Sequence, residues 1–409
     1  MDDSTARIEC LSGVRVLDLS RVLAGPWAAQ TLGDLGAEVI KIERPGAGDE
    51  TRSWGPPFLR DKSGQETAES AYYLSANRNK RSVTIDFTTQ KGRDLVRALA
   101  CKSDVLIENF KVGGLRRHGL DYESLKTLHP GLVYCSITGF GQTGPYAQRP
   151  GYDLLVQAMG GLMSVTGEPG GGPQKVGVAV TDIITGLYSA VGVLAALEHR
   201  RRTGRGQHLD MALMDCQVAS LANQAMNFLT TGVSPGRLGN AHPNIVPYQD
   251  LPTLDGAMVV AVGNDAQFAD FCGALGRPEW ALDPRFTDNR ARLEHRQELI
   301  SLICAITAQA PTAQWTQILE RAGVPCGPVN TVAEALADPQ VEARQMKVEL
   351  PHPSAGLAPS LRCPIRLSET PARHTRAPPL LGEHTEEVLI EALGLTPSEI
   401  ERLREEGVV

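Results

Sequence analysis

The chain has 409 residues, 42% of them hydrophobic and 21% charged, with a formal net charge of −7. That is the composition of a folded globular protein, neither disordered nor membrane-like, and its length predicts two domains of ~100–200 residues each. An acidic total argues against a nucleic-acid partner, while local arginines can still hold an anionic ligand.

The first ten residues, MDDSTARIEC, are polar and acidic and do not read as a secretory or mitochondrial leader. The eight cysteines form no Cys-x-x-Cys pair and no Cys/His cluster at zinc spacing. Free thiols in a reducing cytoplasm, and no metal site, are the expectation. GVRVLDL (13–19) has a strand pattern, SRVLAGPWAAQTLGDLG reads as a turn and a helix, and AEVIKIE (37–43) as the next strand. Together they predict a βαβ unit, hence a parallel pair. The alternation continues through SVTIDF, GRDLVRALA, DVLIENF, YESLKTLH and GLVYCSITGF, which predicts a doubly wound α/β fold.

VGVAVTDIITGLYSAVGVLAAL (176–197) carries a single charged residue, Asp182. It is long enough for a membrane span, which needs ~20 apolar residues, but its glycines and threonines break the run. The expected reading is a short strand (176–180), a turn, and a buried helix beginning near Asp182. There Asp182 can be an N-cap, accepting N–H bonds of the first turn. It can also be a reactive carboxylate at a helix start facing a pocket, and the two roles are compatible. Helices around 211–229 then lead into GNAHPNIVPYQ, strands in DLPTLDGAMVVAV, and helical segments to about 322. GVPCGPVNT (323–331) reads as a return linker. The Pro-rich chain beyond it reads as extended until the capped helix of GEHTEEVLIEALGL.

The first βαβ turn lacks Gly-x-Gly-x-x-Gly, so a nicotinamide enzyme is not expected; no P-loop and no Gly-x-Ser-x-Gly elbow occurs either. What recurs is a cation or amide just past a strand end: Arg21, Arg44 and Asn109, with Arg117 nearby. Ligands of open parallel sheets bind outside the carboxyl ends of the strands, so these residues would converge on an anionic, nucleotide-like ligand. His242 is a candidate general base, although a loop histidine is more often a structural hydrogen-bonder. Cys326 has no histidine partner in sequence, so a catalytic thiol is not expected there.

LSGVRVLDLSRVLAGP, GAEVIKIERPGAGDETR, NRNKRSV, ENF, SITGFGQTGP, TGRGQ, GVPCGPVN and RAPPLLGEHT run in that order from about residue 11 to the C-terminus. They resemble the signature segments of class III coenzyme A transferases. TRSWGPPF and NIVPYQ are most similar to the branch that moves CoA from succinyl-CoA to glutarate or similar dicarboxylates. The resemblance implies a large Rossmann-like domain built from both chain ends, a smaller α+β middle domain, and ring-shaped subunits interlocked in a homodimer. The matching boundaries are 1–215, linker helices at 216–240, the middle domain at 241–335, and a return to the large domain at 336–409. GVAVTDIITGLY matches the family's catalytic motif, which implies Asp182 as nucleophile.

The same resemblance implies CoA contacts at Leu23, Ala24, Arg44, Ile85, Asp86, Asn109, Phe110 and Arg117. The CoA thioester is then substrate, with no permanently bound cofactor. Arg21, His242, Asn244 and Tyr248 are the candidates for holding the acid. Arg21 stands where formyl-CoA transferase has a histidine, and that enzyme's tetraglycine loop has no counterpart, which speaks against a formyl/oxalate pair. Itaconate, hydroxymethylglutarate and carnitine are the alternative acids. α-Methylacyl-CoA racemases share the implied fold but use a Gly-His-Asp histidine where this chain has Tyr152, whose phenol near pKa ~10 is a poor base.

Overall fold

The computed structural model describes residues 9–409, so most of the stretch read above as lacking a leader lies outside the described residues. The chain divides into two compact units. The larger takes in the described residues up to Leu162, then Val176–Ala225 and Pro339–Val409; the smaller takes in Met163–Lys175 and Met226–Asp338.

In the larger unit six strands form one sheet: β1 (Arg15–Asp18), β2 (Glu38–Glu43), β3 (Lys80–Thr84), β4 (Val105–Glu108), β5 (Val133–Thr138) and β6 (His208–Ala212). Their order is β3-β2-β1-β4-β5-β6, and every pair is parallel. Alternation along the strands supplies two cores. Val16, Val39, Val105, Ile107 and Val133 join helices Ala24–Asp34 and Val180–Thr203 on one face. Leu17, Ile40, Val83 and Leu106 join helices Gln90–Cys101 and Thr385–Leu393 on the other. Both faces are covered, as an all-parallel sheet requires. The order reverses between β1 and β4, and the loops after those two strands flank the crevice where such sheets bind ligands.

Several elements differ from expectation. No strand precedes the long helix: residues 176–179 are irregular and the helix starts at Val180. β6 was not anticipated, because HLDMA between two helices carries little strand signal; it is an edge strand that pairs with β5 alone. The stretch expected as a return linker contributes a strand, Cys326–Pro328, to a three-stranded antiparallel sheet with Tyr248–Thr253 and Gly256–Ala261 in the smaller unit. The Pro-rich chain after it holds an antiparallel hairpin, Lys347–His352 with Gly356–Leu361.

By length and composition Val180–Thr203 could cross a membrane. In this fold Thr181, Thr185, Gly186, Ser189, Ala190, Val193 and Ala196 bury one of its faces. Gly186 permits its close approach to helix Ala24–Asp34, since a Cβ there would stand 2.7 Å from the Ala24 carbonyl oxygen.

Candidate active site

The turn between β1 and helix Ala24–Asp34 is held from below by buried charge. Asp18 accepts the Ser20 N–H (2.9 Å) and pairs with Lys80 (2.9 Å). Lys41 pairs with Asp49 (2.9 Å) and donates to the Ser20 carbonyl (2.8 Å), while Asp49 accepts the Val22 N–H (3.2 Å). Together these bonds hold Val22 at φ +71°, a left-handed backbone that a β-branched residue adopts only under constraint. Across the switch point the Arg21 N–H donates to Asn109 Oδ1 (3.0 Å), and Asn109 Nδ2 returns a bond to the Arg21 carbonyl (2.7 Å). Glu108, at the end of β4, accepts the Phe110 N–H (2.8 Å). Burial pushes its carboxyl up to about 7 against the opposing bonds from Ser136 and Phe110.

Arg21, Leu23, Ala24, Asn109, Phe110 and Asp182 line one cleft of the larger unit, joined by Arg149 and Tyr152 from the loop after β5. Asp182 sits in the first turn of the long helix but is not its cap, because the helix begins two residues earlier. Ala179 holds the cap position and offers no side-chain bond. The work falls to Asp153, whose Oδ1 accepts the Thr181 N–H (2.9 Å) and whose Oδ2 accepts Gln157 Nε2 (2.7 Å). Asp182 is thereby left without a hydrogen-bond or cationic partner among the described residues. Burial first, and then the charge of Asp153, push it up to about 7.

Two residues missed in the sequence share this electrostatic environment. Burial and then the charges of Asp182 and Asp153 push the Tyr72 phenol up to about 12, and its ring meets Trp54 edge-on at 5.1 Å. Trp54 lies in TRSWGPPF, a segment that carries the resemblance, which is the signal that could have found it; Tyr72 lies outside those segments.

The remaining expected contacts stand apart from the cleft wall. Arg44 lies exposed past β2, and Asp86 lies part-buried past β3. The Thr88 hydroxyl and N–H donate to Asp86 (2.6 and 2.9 Å) and hold its carboxyl below the usual range, helped by the charge of Arg44. Ile85 is a core residue, and its backbone N–H already donates to the Glu43 carbonyl (2.9 Å). Arg117 Nε lies 3.0 Å from His118 Nε2. The Phe87 ring joins the two regions, edge-on to Phe110 at 5.7 Å and to His118 at 5.6 Å. His242, Asn244 and Tyr248 belong to the smaller unit and cluster there. The Asn244 N–H donates to His242 Nδ1 (3.0 Å), and the rings of His242 and Tyr248 are 5.2 Å apart.

A family model described as CoA-transferase family III matches residues 11–385. The chain is 52% identical over 391 residues to the succinate–glutarate CoA-transferase of Agrobacterium fabrum, covering 96% of this chain and 98% of that one. It is 44% identical over 402 residues to the succinyl-CoA:glutarate CoA-transferase of Homo sapiens, covering 98% and 90%. A crystal structure of a CAIB/BAIF family protein from Brucella suis is similar with a TM-score of 0.83 at 52% identity, covering 94% of this chain and 99% of that one. Likeness of this extent, in sequence and in the arrangement of the parallel sheet, means that the chain is an enzyme and belongs to CoA-transferase family III.

Proposed function

We propose that the protein moves CoA from succinyl-CoA to a dicarboxylic acid, with glutarate the first choice and Asp182 the covalent carrier. The observation that carries this is the state of Asp182: a half-buried carboxylate in the cleft, unpartnered, its proton affinity raised to about 7. A poorly solvated carboxylate of that kind is a stronger nucleophile than one in water. The two relatives named for glutarate support the choice of acid.

The Asp182 carboxylate attacks the succinyl thioester carbonyl; the C–S bond breaks, CoA leaves as thiolate, and a mixed anhydride remains. The thiolate attacks the aspartyl acyl carbon, succinate departs, and Asp182 carries CoA as a thioester. Glutarate attacks that same carbon and expels the thiolate, leaving a glutaryl anhydride. The thiolate then takes the glutaryl group, and the Asp182 carboxylate is regenerated. One anion enters and one leaves at every step, so this route needs no external proton donor and no permanently bound cofactor. Enclosure protects the anhydride from water. Arg44 and Arg117 take the CoA phosphates, and the pantetheine arm runs past Phe87 and Phe110 to Leu23, Ala24 and Asp182.

The homodimer belongs to the same reading. Leu187, Tyr188 and Val191 on the long helix are 45%, 52% and 63% exposed, an apolar row that supports contact with a second copy in the interlocked, ring-shaped arrangement. A reducing, cytoplasmic setting, expected for eight scattered cysteines, belongs to the same reading. The test is incubation with succinyl-CoA and, in turn, glutarate, itaconate, oxalate and carnitine, with acyl-CoA products read by mass spectrometry. Glutaryl-CoA should form with the wild type and not with Asp182→Ala. A variant that kept a tenth of the turnover would rule out the covalent route, and light scattering decides the dimer.

A further inference from the structure

The loop after β5 closes on itself at a neck of two glycines. A Cβ on Gly139 would stand 2.6 Å from Gly151 Cα, and one on Gly151 would stand 2.5 Å from Gly139 Cα, so the two backbones touch with no room for a side chain. The segment between them is a compact loop with adjoining ends. Its near end, Ala147–Tyr152, forms part of the cleft wall that also contains Asp182. Arg149 is the cation on that stretch. Its guanidinium lies 4.5 Å from the Tyr146 ring centroid and 5.4 Å from that of Phe140. Two aromatic faces orient the fork, yet it has no carboxylate partner among the described residues.

The other arginine of the wall is committed elsewhere: Arg21 pairs with Glu50 and packs over Phe110. Lys111, which also lacks an ionic partner and a facing ring among the described residues, follows Phe110 on the side assigned to CoA. Arg149 is also tied closely to the nucleophile. Four residues on stands Asp153, which caps the helix of Asp182 through the Thr181 N–H. Four residues span at most ~14 Å of chain. That bound keeps Arg149 near the start of the long helix, and Arg149 and Asp182 line the same cleft.

We propose that Arg149 is the specificity-determining residue that receives the distal carboxylate of the acid while the proximal carboxylate reacts at Asp182. This rests on the dicarboxylate reading above. A planar, permanently charged fork held by aromatic rings suits a bidentate carboxylate, and an acid with no distal carboxylate gains nothing from it.

The experiment compares glutarate with pentanoate, a monocarboxylate of equal length, in wild type and Arg149→Gln, with succinyl-CoA saturating and binding of free CoA measured by calorimetry. The expected result is a loss of about 10–10² in kcat/KM for glutarate, little change for pentanoate, and unchanged CoA affinity. Arg149→Lys should recover part of the glutarate rate, because it restores charge without the fork. Weakened CoA binding with the glutarate preference intact would make Arg149 a phosphate ligand and overturn the proposal. So would a variant equal to wild type in every reading. A wild type that does not prefer glutarate to pentanoate would sink the dicarboxylate reading itself, and the role of Arg149 with it.

Discussion

Asp153→Asn separates two things that one carboxylate does. Asp153 Oδ1 caps the long helix through the Thr181 N–H, and its negative charge raises the proton affinity of the neighbouring Asp182. Asparagine keeps an oxygen for Thr181 and removes the charge. Its amide nitrogen, however, would face Gln157 Nε2, another donor. Gln157 cannot simply turn over, because its Oε1 already accepts the Val176 N–H (2.9 Å). The lost bond should cost about 1 kcal/mol of stability, which urea unfolding would read. The electrostatic effect is separate. Asp182 stands at about 7 against an ordinary 3.8, a rise of about 3, of which burial is the larger cause and Asp153 the lesser. Removing the charge should therefore lower the Asp182 value, by less than burial raises it. The pH profile of kcat/KM for succinyl-CoA reports ionisations of the free enzyme, so its acid limb should move down from near 7. An acid limb that stays in place would mean that Asp153 acts through its hydrogen bond alone, and the reasoning would fail.

Arg44→Ala and Arg117→Ala should raise KM for the CoA donor more than they lower kcat, the sign of binding lost equally from ground and transition states; unchanged constants would make them surface charges. Glu108→Gln should keep an acceptor for the Phe110 N–H and leave stability near that of the wild type. Glu108→Leu should lose about 1–3 kcal/mol in urea unfolding, since it strands that N–H, and equal stability of the two variants would refute the assignment.

The sheet was legible because its strands repeat an apolar alternation that both covered faces demand, as Val16–Leu17 and Val39–Ile40 show. β6 was not, because an edge strand gains its state from pairing with β5, and HLDMA alone does not encode that pairing. The same holds for Cys326–Pro328, a three-residue strand with a proline at its end, whose partner lies far back in the sequence at Met258–Val260. Asp182 stood out as the lone charge in an apolar run, but its freedom from capping did not. That freedom depends on Asp153, 29 positions earlier, and no local rule links the two. The orientation of Arg149 is equally hidden, since it follows from the Gly139–Gly151 neck and from two rings brought together only by the loop's closure.

Holding a carboxylate without a partner has a stability consequence that can be measured apart from catalysis. The folded value of Asp182 is about 7 and the ordinary value is 3.8. Between those pH values the native state keeps a proton that the unfolded chain gives up, so stability falls as pH rises through the window. Below about pH 4 both states are protonated and the cost vanishes. Above about pH 7 the native state must ionise a half-buried group, and the cost is complete. At 1.36 kcal/mol per unit, a rise of about 3 units corresponds to at most about 4 kcal/mol. Asp182→Asn removes the ionisation and retains the shape. It should match the wild type at pH 4 and exceed it by up to that amount at pH 8, with half the difference developed between. Groups common to both proteins, Glu108 among them, cancel in the comparison. The measurement is urea unfolding of ligand-free wild type and variant across that range. A difference that does not grow with pH would show that Asp182 ionises in the folded protein as readily as in water. The cleft would then not be what makes it reactive.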